Sequence, residues 1–358
     1  MGRTLTEEER AEIWLDSLPL GYRQKERLLE AAHGAAALCE NYDRLRDAVR
    51  EIAGAQFSAV EERARRRGYL RALSEEYASR GIRCVARSGP LYPARLREAE
   101  DAPLVLYCRG DVSLLQTRML AIVGSRRTLP NILSFTRTVA RGLSDKLTVL
   151  SGSADGADAA ALSGALERGR PVSVLASGHD HAGPACNAGL LAEVARRGLV
   201  VSEFPPAVTA RPYMYPLRNR ILAGLCEKLL CVSAGEGSGA LISAEKAHRL
   251  GREVLAVPYT PGIASGVGCN GILKEYAKLV DDLVDIAAAF GINLTETEPI
   301  ALDERERAVY AAICEGTEHV AQIAQKCGLK AAELPAVLAS LELHGLIVAC
   351  GGNRYAKG

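Results

Sequence analysis

Between Met119 and Tyr259 the chain alternates short stretches that are apolar at nearly every position with longer stretches whose apolar residues recur at helical spacing. The apolar runs Leu120–Val123, Leu147–Ser151, Val172–Ala176, Leu199–Glu203, Leu229–Val232 and Glu253–Val257 predict strands. The intervening segments Pro130–Ser144, Asp158–Arg168, Ala188–Arg197 and Ala240–Leu250 predict helices. Strands without a polar face are covered on both sides. The rhythm therefore predicts an extended, Rossmann-like α/β fold, a doubly wound parallel sheet with helices on both faces.

The pattern changes on either side of this block. From Glu7 to about Ser79 it is helical throughout, which predicts a small helical, SAM-like module over residues 1–79. Its arginine-dense run Glu61–Leu73 is flanked by Glu61, Glu62, Glu75 and Glu76, and reads as a solvated helix face with internal ion pairs. Short apolar pieces separated by Pro and Gly follow from Gly81 and lead into the central domain, residues 80–288. A polar linker, 289–301, precedes three short amphipathic segments and a hairpin with Gly351–Gly352 at its turn, which together predict a winged-helix module over 302–358. The would-be recognition segment Leu329–Leu343 carries Lys330 as its one base and holds two glutamates, so a protein-contact or regulatory role is expected of it rather than duplex reading.

Composition narrows the picture. The 358 residues are 48% hydrophobic, enough for a large core, and the net charge of +1 excludes a polycationic surface, so any nucleic-acid contact rests on a local basic cleft. The ten cysteines form no Cys-x-x-Cys pair, and no metal site is expected. Their scatter through core segments, the polar start Met1–Glu9 and the absence of a ~20-residue apolar run predict a cytoplasmic protein without a membrane span.

The candidate chemistry is anion binding. Strand Leu120–Val123 ends in Gly124-Ser125-Arg126-Arg127, with a helix predicted from Pro130, and a helix N-terminus beside two arginines suits phosphate. Two further glycine-rich loops, Ser151–Asp158 and Ala234–Leu241, fall at the same strand ends, where ligands of such sheets bind. They add Ser151, Gly152, Ser238 and Gly239 to the candidate residues. Arg218, Asn219 and Arg220 open an apolar helical run. The two arginines emerge on different faces, so one is expected to reach the ligand edge while the other pairs internally; the alternative is that both make structural ion pairs, with Glu203 as one partner. No G-x-G-x-x-G follows the first strand and no G-x-x-x-x-G-K-[ST] occurs, which speaks against a dinucleotide enzyme or a P-loop NTPase. His179 and His181 read as solvated loop histidines.

Over nearly its whole length the chain resembles the DNA-processing protein A family, also called Smf. The resemblance rests on Ile122–Arg127, Ser151–Leu162, Val200–Pro206, Tyr215–Leu225, Gly237–Ala247 and Ser265–Leu273, in that family's order. It implies a non-enzymatic, cofactor-free mediator that binds single-stranded DNA in a basic pocket, dimerises, and helps load the RecA recombinase, as in natural transformation. Carried over by position, Arg126 contacts a backbone phosphate while Gly124, Ser125, Ser151 and Gly152 shape the pocket. Asn187 is the remnant of an altered family loop, Gly178–Gly189.

The chain departs from the family where Asp155 and Ala157 replace an arginine and an isoleucine in the second loop, and where Tyr259 replaces a glycine. Asp155 is expected to weaken phosphate binding unless Arg126 or Arg127 neutralises it. Two other functions compete: a lysine-decarboxylase-like nucleotide phosphoribohydrolase with Glu245 as acid or base, and a nucleotide-sensing Rossmann protein with the winged helix as output.

Overall fold

A computed structural model describes residues 4–65, 69–294, 302–330, 333–343 and 345–357. Part of the arginine run read as a solvated face, residues 66–68, lies outside them. Within the described part of that run Arg65 pairs with Glu61 at 3.0 Å, and Glu61 also accepts from Arg46.

Among the described residues one sheet runs through the centre of the molecule. Its strands are β1 (Arg83–Ala86), β2 (Val105–Gly110), β3 (Met119–Val123), β4 (Thr148–Ser151), β5 (Val172–Val174), β6 (Leu199–Ser202), β7 (Lys228–Cys231), β8 (Glu253–Ala256) and β9 (Lys278–Leu279). Their spatial order is β1-β2-β6-β5-β4-β3-β7-β8-β9. From β6 to β9 all neighbours are parallel, as the apolar runs predict, whereas β1 and β2 join antiparallel at one edge. The Pro- and Gly-separated pieces after Gly81 are thus part of the sheet itself.

The pleat divides β3 between two cores. Met119, Ala121 and Val123 pack with the helices Met214–Leu225 and Gly239–Arg249, while Leu120 and Ile122 pack with Pro130–Leu143 and Ala157–Arg168. Pro130 stands in the first turn of its helix, and Ile132, Thr136, Val139, Ala140 and Leu143 form the buried face. The chain winds from β3 outward through β4 and β5 to β6, then returns to lay β7 on the other side of β3. That reversal opens a crevice at the carboxyl ends of β3 and β7.

The N-terminal helices build their own cluster around Ile13, Trp14, Leu15 and Leu28, and this cluster takes in Val105 and Tyr107 of β2. At the other end, helices Glu304–Cys314, Val320–Cys327 and Leu334–Leu343 pack Val309, Ile313, Ile323, Leu338 and Leu341 together beside the hairpin β10 (Ile347–Gly351) and β11 (Arg354–Lys357). This is the expected winged helix. The hairpin turn sits one residue later than predicted: Gly351 pairs with Arg354, and the two loop residues are Gly352 and Asn353, with φ of 60° and 59°. Positive φ at both positions matches the twist of a two-residue hairpin, and asparagine tolerates that conformation better than most residues.

Candidate nucleic-acid interface

Three loops meet in the crevice: Gly124–Arg127 after β3, Gly152–Gly156 after β4 and Ala234–Ser238 after β7. They enclose a cavity of about 350 Å3 whose lining includes Gly124, Ser125, Arg126, Tyr215, Arg218, Asn219, Ser238 and Gly239. A smaller cavity of about 120 Å3 shares Arg126, Ala154 and Tyr215 with it and continues past Asp155 and His181. Together they form one cleft across the ends of the strands.

Packing explains the glycines. A Cβ on Gly124 would stand 2.6 Å from the Cβ of Ala157, because the first loop lies directly on the helix that follows the second. One on Gly152 would stand 2.1 Å from Asp158 Oδ2 and 2.5 Å from Arg218 Nη1. Ser151 is buried, and its hydroxyl donates to the Ile122 carbonyl at 2.7 Å, tying β4 to β3 just below the site.

The charges are graded by depth. At the floor Arg218 and Asp158 are both buried. Arg218 donates to the Val174 carbonyl and, through Nε, to Asn219 Oδ1 at 3.2 Å, while Asp158 Oδ2 accepts from the Ala154 amide at 3.2 Å. Burial pushes the Asp158 carboxyl above its ordinary pKa against the pull of Arg218, and the same burial lowers the Arg218 guanidinium. At the mouth Arg126 is exposed, has no ion-pair partner among the described residues, and lies with its guanidinium carbon 5.4 Å from the centre of the Tyr215 ring. An arginine over an aromatic face offers phosphate contact and base stacking side by side.

The helix end that serves the cavity differs from the expected one. Residues around Pro130 do not line it; Ser238, Gly239 and Ala240, the start of the helix Gly239–Arg249, do. Ser238 caps that helix by accepting from the Ala240 amide at 3.2 Å, and Asn219 Nδ2 donates to the Gly239 carbonyl at 3.1 Å. The six residues from Gly124 to Leu129 carry the chain away from the cleft before the Pro130 helix begins.

Five candidates lie outside the lining of the cavity: Ser151 and Gly152, which pack beneath it, and Arg127, Asn187 and Arg220. Arg127 is exposed but outside its lining. Asn187 is buried and donates to the Ser153 carbonyl at 3.2 Å, which braces the second loop from behind. Arg220 points to the other side of its helix and pairs with Glu203 and, at 3.4 Å, with Asp101. Of the two arginines, then, Arg218 reaches the cleft and Arg220 pairs internally.

Asp155 is not neutralised by Arg126 or Arg127; it is exposed and accepts from the Cys186 thiol at 3.1 Å. His179 is no solvated loop residue: it is buried against the Tyr107 carbonyl at 2.9 Å, and burial lowers its pKa to about 4. His181 is exposed in the cleft wall. Glu245, the acid or base of the hydrolase reading, is exposed, pairs with Arg249 and does not line the cavity. Tyr215 and Asp158 are site residues that the sequence reading did not single out. Aromatic residues interleaved with Arg218 and Arg220 were the available signal for Tyr215; Asp158 looked like a first-turn helix residue.

The fold and cleft define a Rossmann-like protein with glycine-rich loops and arginines gathered at one strand edge and an attached winged helix. Residues 83–291 match the family model described as DNA recombination-mediator protein A, and residues 294–353 match the winged-helix domain of the same proteins, so the chain belongs to the DNA recombination-mediator protein A family. It is 36% identical over 200 residues to DNA processing protein DprA of Streptococcus pneumoniae, covering 56% of this chain and 71% of that one. It is 32% identical over 283 residues to protein Smf of Escherichia coli, covering 75% and 76%. Among solved structures it is similar to DNA processing protein A of S. pneumoniae, with a TM-score of 0.66 and 29% identity over 80% of this chain and 98% of that one. It is also similar to DNA processing protein A of Helicobacter pylori, a structure concerned with single-stranded DNA binding, with a TM-score of 0.54 and 26% identity over 58% and 96%. No helix among the described residues is long and apolar enough to cross a membrane.

Proposed function

We propose that the protein binds single-stranded DNA along this cleft, without reading its sequence, and acts in the cytoplasm as a non-enzymatic mediator that helps load the RecA recombinase on single strands, as in natural transformation. The observation that carries the reading is Arg126: an unpaired guanidinium, set over an exposed tyrosine at the mouth of a glycine-lined cleft, offers a strand both a phosphate contact and a stacking surface. In this reading Ser125, Ser238 and Gly239 line the path of the strand, Gly124, Ser151 and Gly152 let the loops pack against one another beneath it, Arg218 and Asn219 set the floor, and Arg127 and Asn187 stand beside the cleft.

A division into a helical module (1–79), the DNA-binding domain (80–288), a linker (289–301) and a winged helix (302–358) fits this role, with the winged helix as a protein-contact element. A homodimer is supported by the edge of the sheet, where Leu279 of β9 is 51% exposed and Val284 just beyond it is 60% exposed. The test is binding of labelled oligo(dT) at two salt concentrations by the wild type and by Arg126→Ala. Phosphate contacts give a steep salt dependence and a shallower slope in the variant. Failure of the wild type to bind at low salt defeats the proposal, and RecA filament growth on strands coated by single-strand binding protein tests the loading step.

A further inference from the structure

A cavity larger than the strand-end cleft lies beside the α/β domain. A groove of about 890 Å3 lies between the N-terminal helical module and the two helices Met214–Leu225 and Gly239–Arg249. One helix separates the two sites, facing Arg218 into the cleft and Arg220 into the groove. Nothing in the proposed strand binding uses this second space.

At its floor lie guanidinium N–H groups without acceptors. Arg220 is 3% exposed, and although Nη2 pairs with Glu203, neither Nε nor Nη1 has a hydrogen-bond partner; Asp101 stands 3.4 Å from Nε without the geometry of a bond. Buried guanidinium N–H groups without acceptors are costly, and an oxyanion in the groove would satisfy them. The opposite wall is the start of the eleven-residue helix Tyr22–Ala32. No side chain caps its first-turn amides; Gln24 reaches back only to the Gly21 amide, at 3.0 Å. That end carries a positive dipole.

Two more cations stand at the rim. Arg23 and Lys246 line the groove and have no carboxylate partner among the described residues, whereas Arg249 is paired with Glu245. The acids facing the groove are Glu100 and Asp101; Asp101 already leans on Arg220, and the Glu100 backbone carbonyl accepts from the Tyr22 hydroxyl at 2.7 Å. Between the cations the walls are apolar, made by the Tyr22 ring, Leu217 and Leu250. A flat apolar body with a charged phosphoryl end matches both features, and the volume lies in the ~300–1,000 Å3 range of small-ligand sites.

We infer that the groove between the helical module and the α/β domain binds a nucleoside phosphate, with its phosphoryl group between Arg220, Arg23, Lys246 and the Tyr22 helix end, and its base against Tyr22, Leu217 and Leu250. The phosphoryl group belongs either to a free nucleotide or to the 5′ end of a DNA strand.

The test uses the full chain and titrates dTMP, thymidine and inorganic phosphate by calorimetry into the wild type and the double variant Arg23→Glu/Lys246→Glu. The wild type is expected to saturate with dTMP and to bind thymidine at least about tenfold more weakly, and the variant to lose about tenfold or more in dTMP affinity. Binding of 5′-hydroxyl oligo(dT) by the same variant stays within about twofold, which also shows that it is folded. Competition against dTMP by 5′-phosphorylated but not 5′-hydroxyl oligo(dT) assigns the site to strand ends; no competition by either assigns it to free nucleotide. The inference is overturned if dTMP fails to bind at millimolar concentration, if the double variant binds it as the wild type does, or if Arg126→Ala rather than the double variant abolishes it. The last result would place the nucleotide in the strand-end cleft.

Discussion

The first and second loops of the cleft start from the same kind of strand end and solve opposite problems. After β3 the chain leaves its cations free: Arg126 and Arg127 are exposed and carry no ion pair among the described residues. After β4 it carries acids instead, one buried (Asp158) and one at the surface (Asp155), each met by a local donor, the Ala154 amide and the Cys186 thiol. The first loop leaves its charges without ion-pair partners among the described residues, while the acids of the second are met within the protein and form a wall. Charge near a phosphate site is therefore informative only together with its partners.

Several changes would break or sharpen that contrast. The largest effect is expected from emptying the open loop: Arg126→Ala/Arg127→Ala should weaken oligo(dT) binding by roughly 100-fold at low salt, about 3 kcal/mol, and flatten the salt slope, read by fluorescence anisotropy. An unchanged slope would mean that the loop does not contact phosphate.

The wall is tested by acid. His179 holds the Gly178–Gly189 segment to Tyr107 in its neutral form, with its pKa lowered to about 4 in the folded protein. Between the unfolded value near 6.5 and about 4, the unfolded chain binds the additional proton. Stability contributed by this residue is thus present above about pH 6.5 and lost as pH falls toward 4, by up to ~3 kcal/mol. Denaturant midpoints of the wild type and His179→Asn from pH 7 to pH 4 should show the shallower fall in the variant.

Gly152→Ala forces a methyl group onto Asp158 and Arg218 and should cost about 1–3 kcal/mol, seen as a lower melting temperature even without DNA. The smallest effect is a gain. Asp155→Arg restores the cation usual in the family's second loop and should tighten oligo(dT) binding about three- to tenfold while steepening the salt slope by about one. A null result there would show that the strand does not pass the second loop.

The parallel sheet and the three loops were legible because fully apolar strands and glycine-rich turns are one-dimensional signals. What was not legible depends on depth. Nothing in the spacing of Arg218 and Arg220 says which one meets the crevice; that follows from the crossing of the helix Met214–Leu225 over the sheet. His179 looked like a solvated loop residue because its partner is a backbone carbonyl of β2, distant in sequence. The sequence places the Pro130 helix next to Arg126, but six residues of loop carry it away, and the helix end that lines the cavity is the one after β7. The pieces that become β1 and β2 read as extended segments, but nothing in them says that they pair antiparallel and join the edge of the parallel sheet at β6.

The apolar cluster shared by the N-terminal helices and β2 bears on the order in which the nascent chain can fold. Ile13, Trp14 and Leu15 share their cluster with Val105 and Tyr107 of β2, and β2 in turn is held on its inner side by β6, Leu199–Ser202. At roughly 5–20 residues per second the ribosome needs on the order of 5–20 s to deliver β6 after β2. Through that interval the helical module keeps part of its apolar face in water, so it is made well before the strand that fixes its partner and is among the later parts to become stable, a place where a chaperone would be expected to wait.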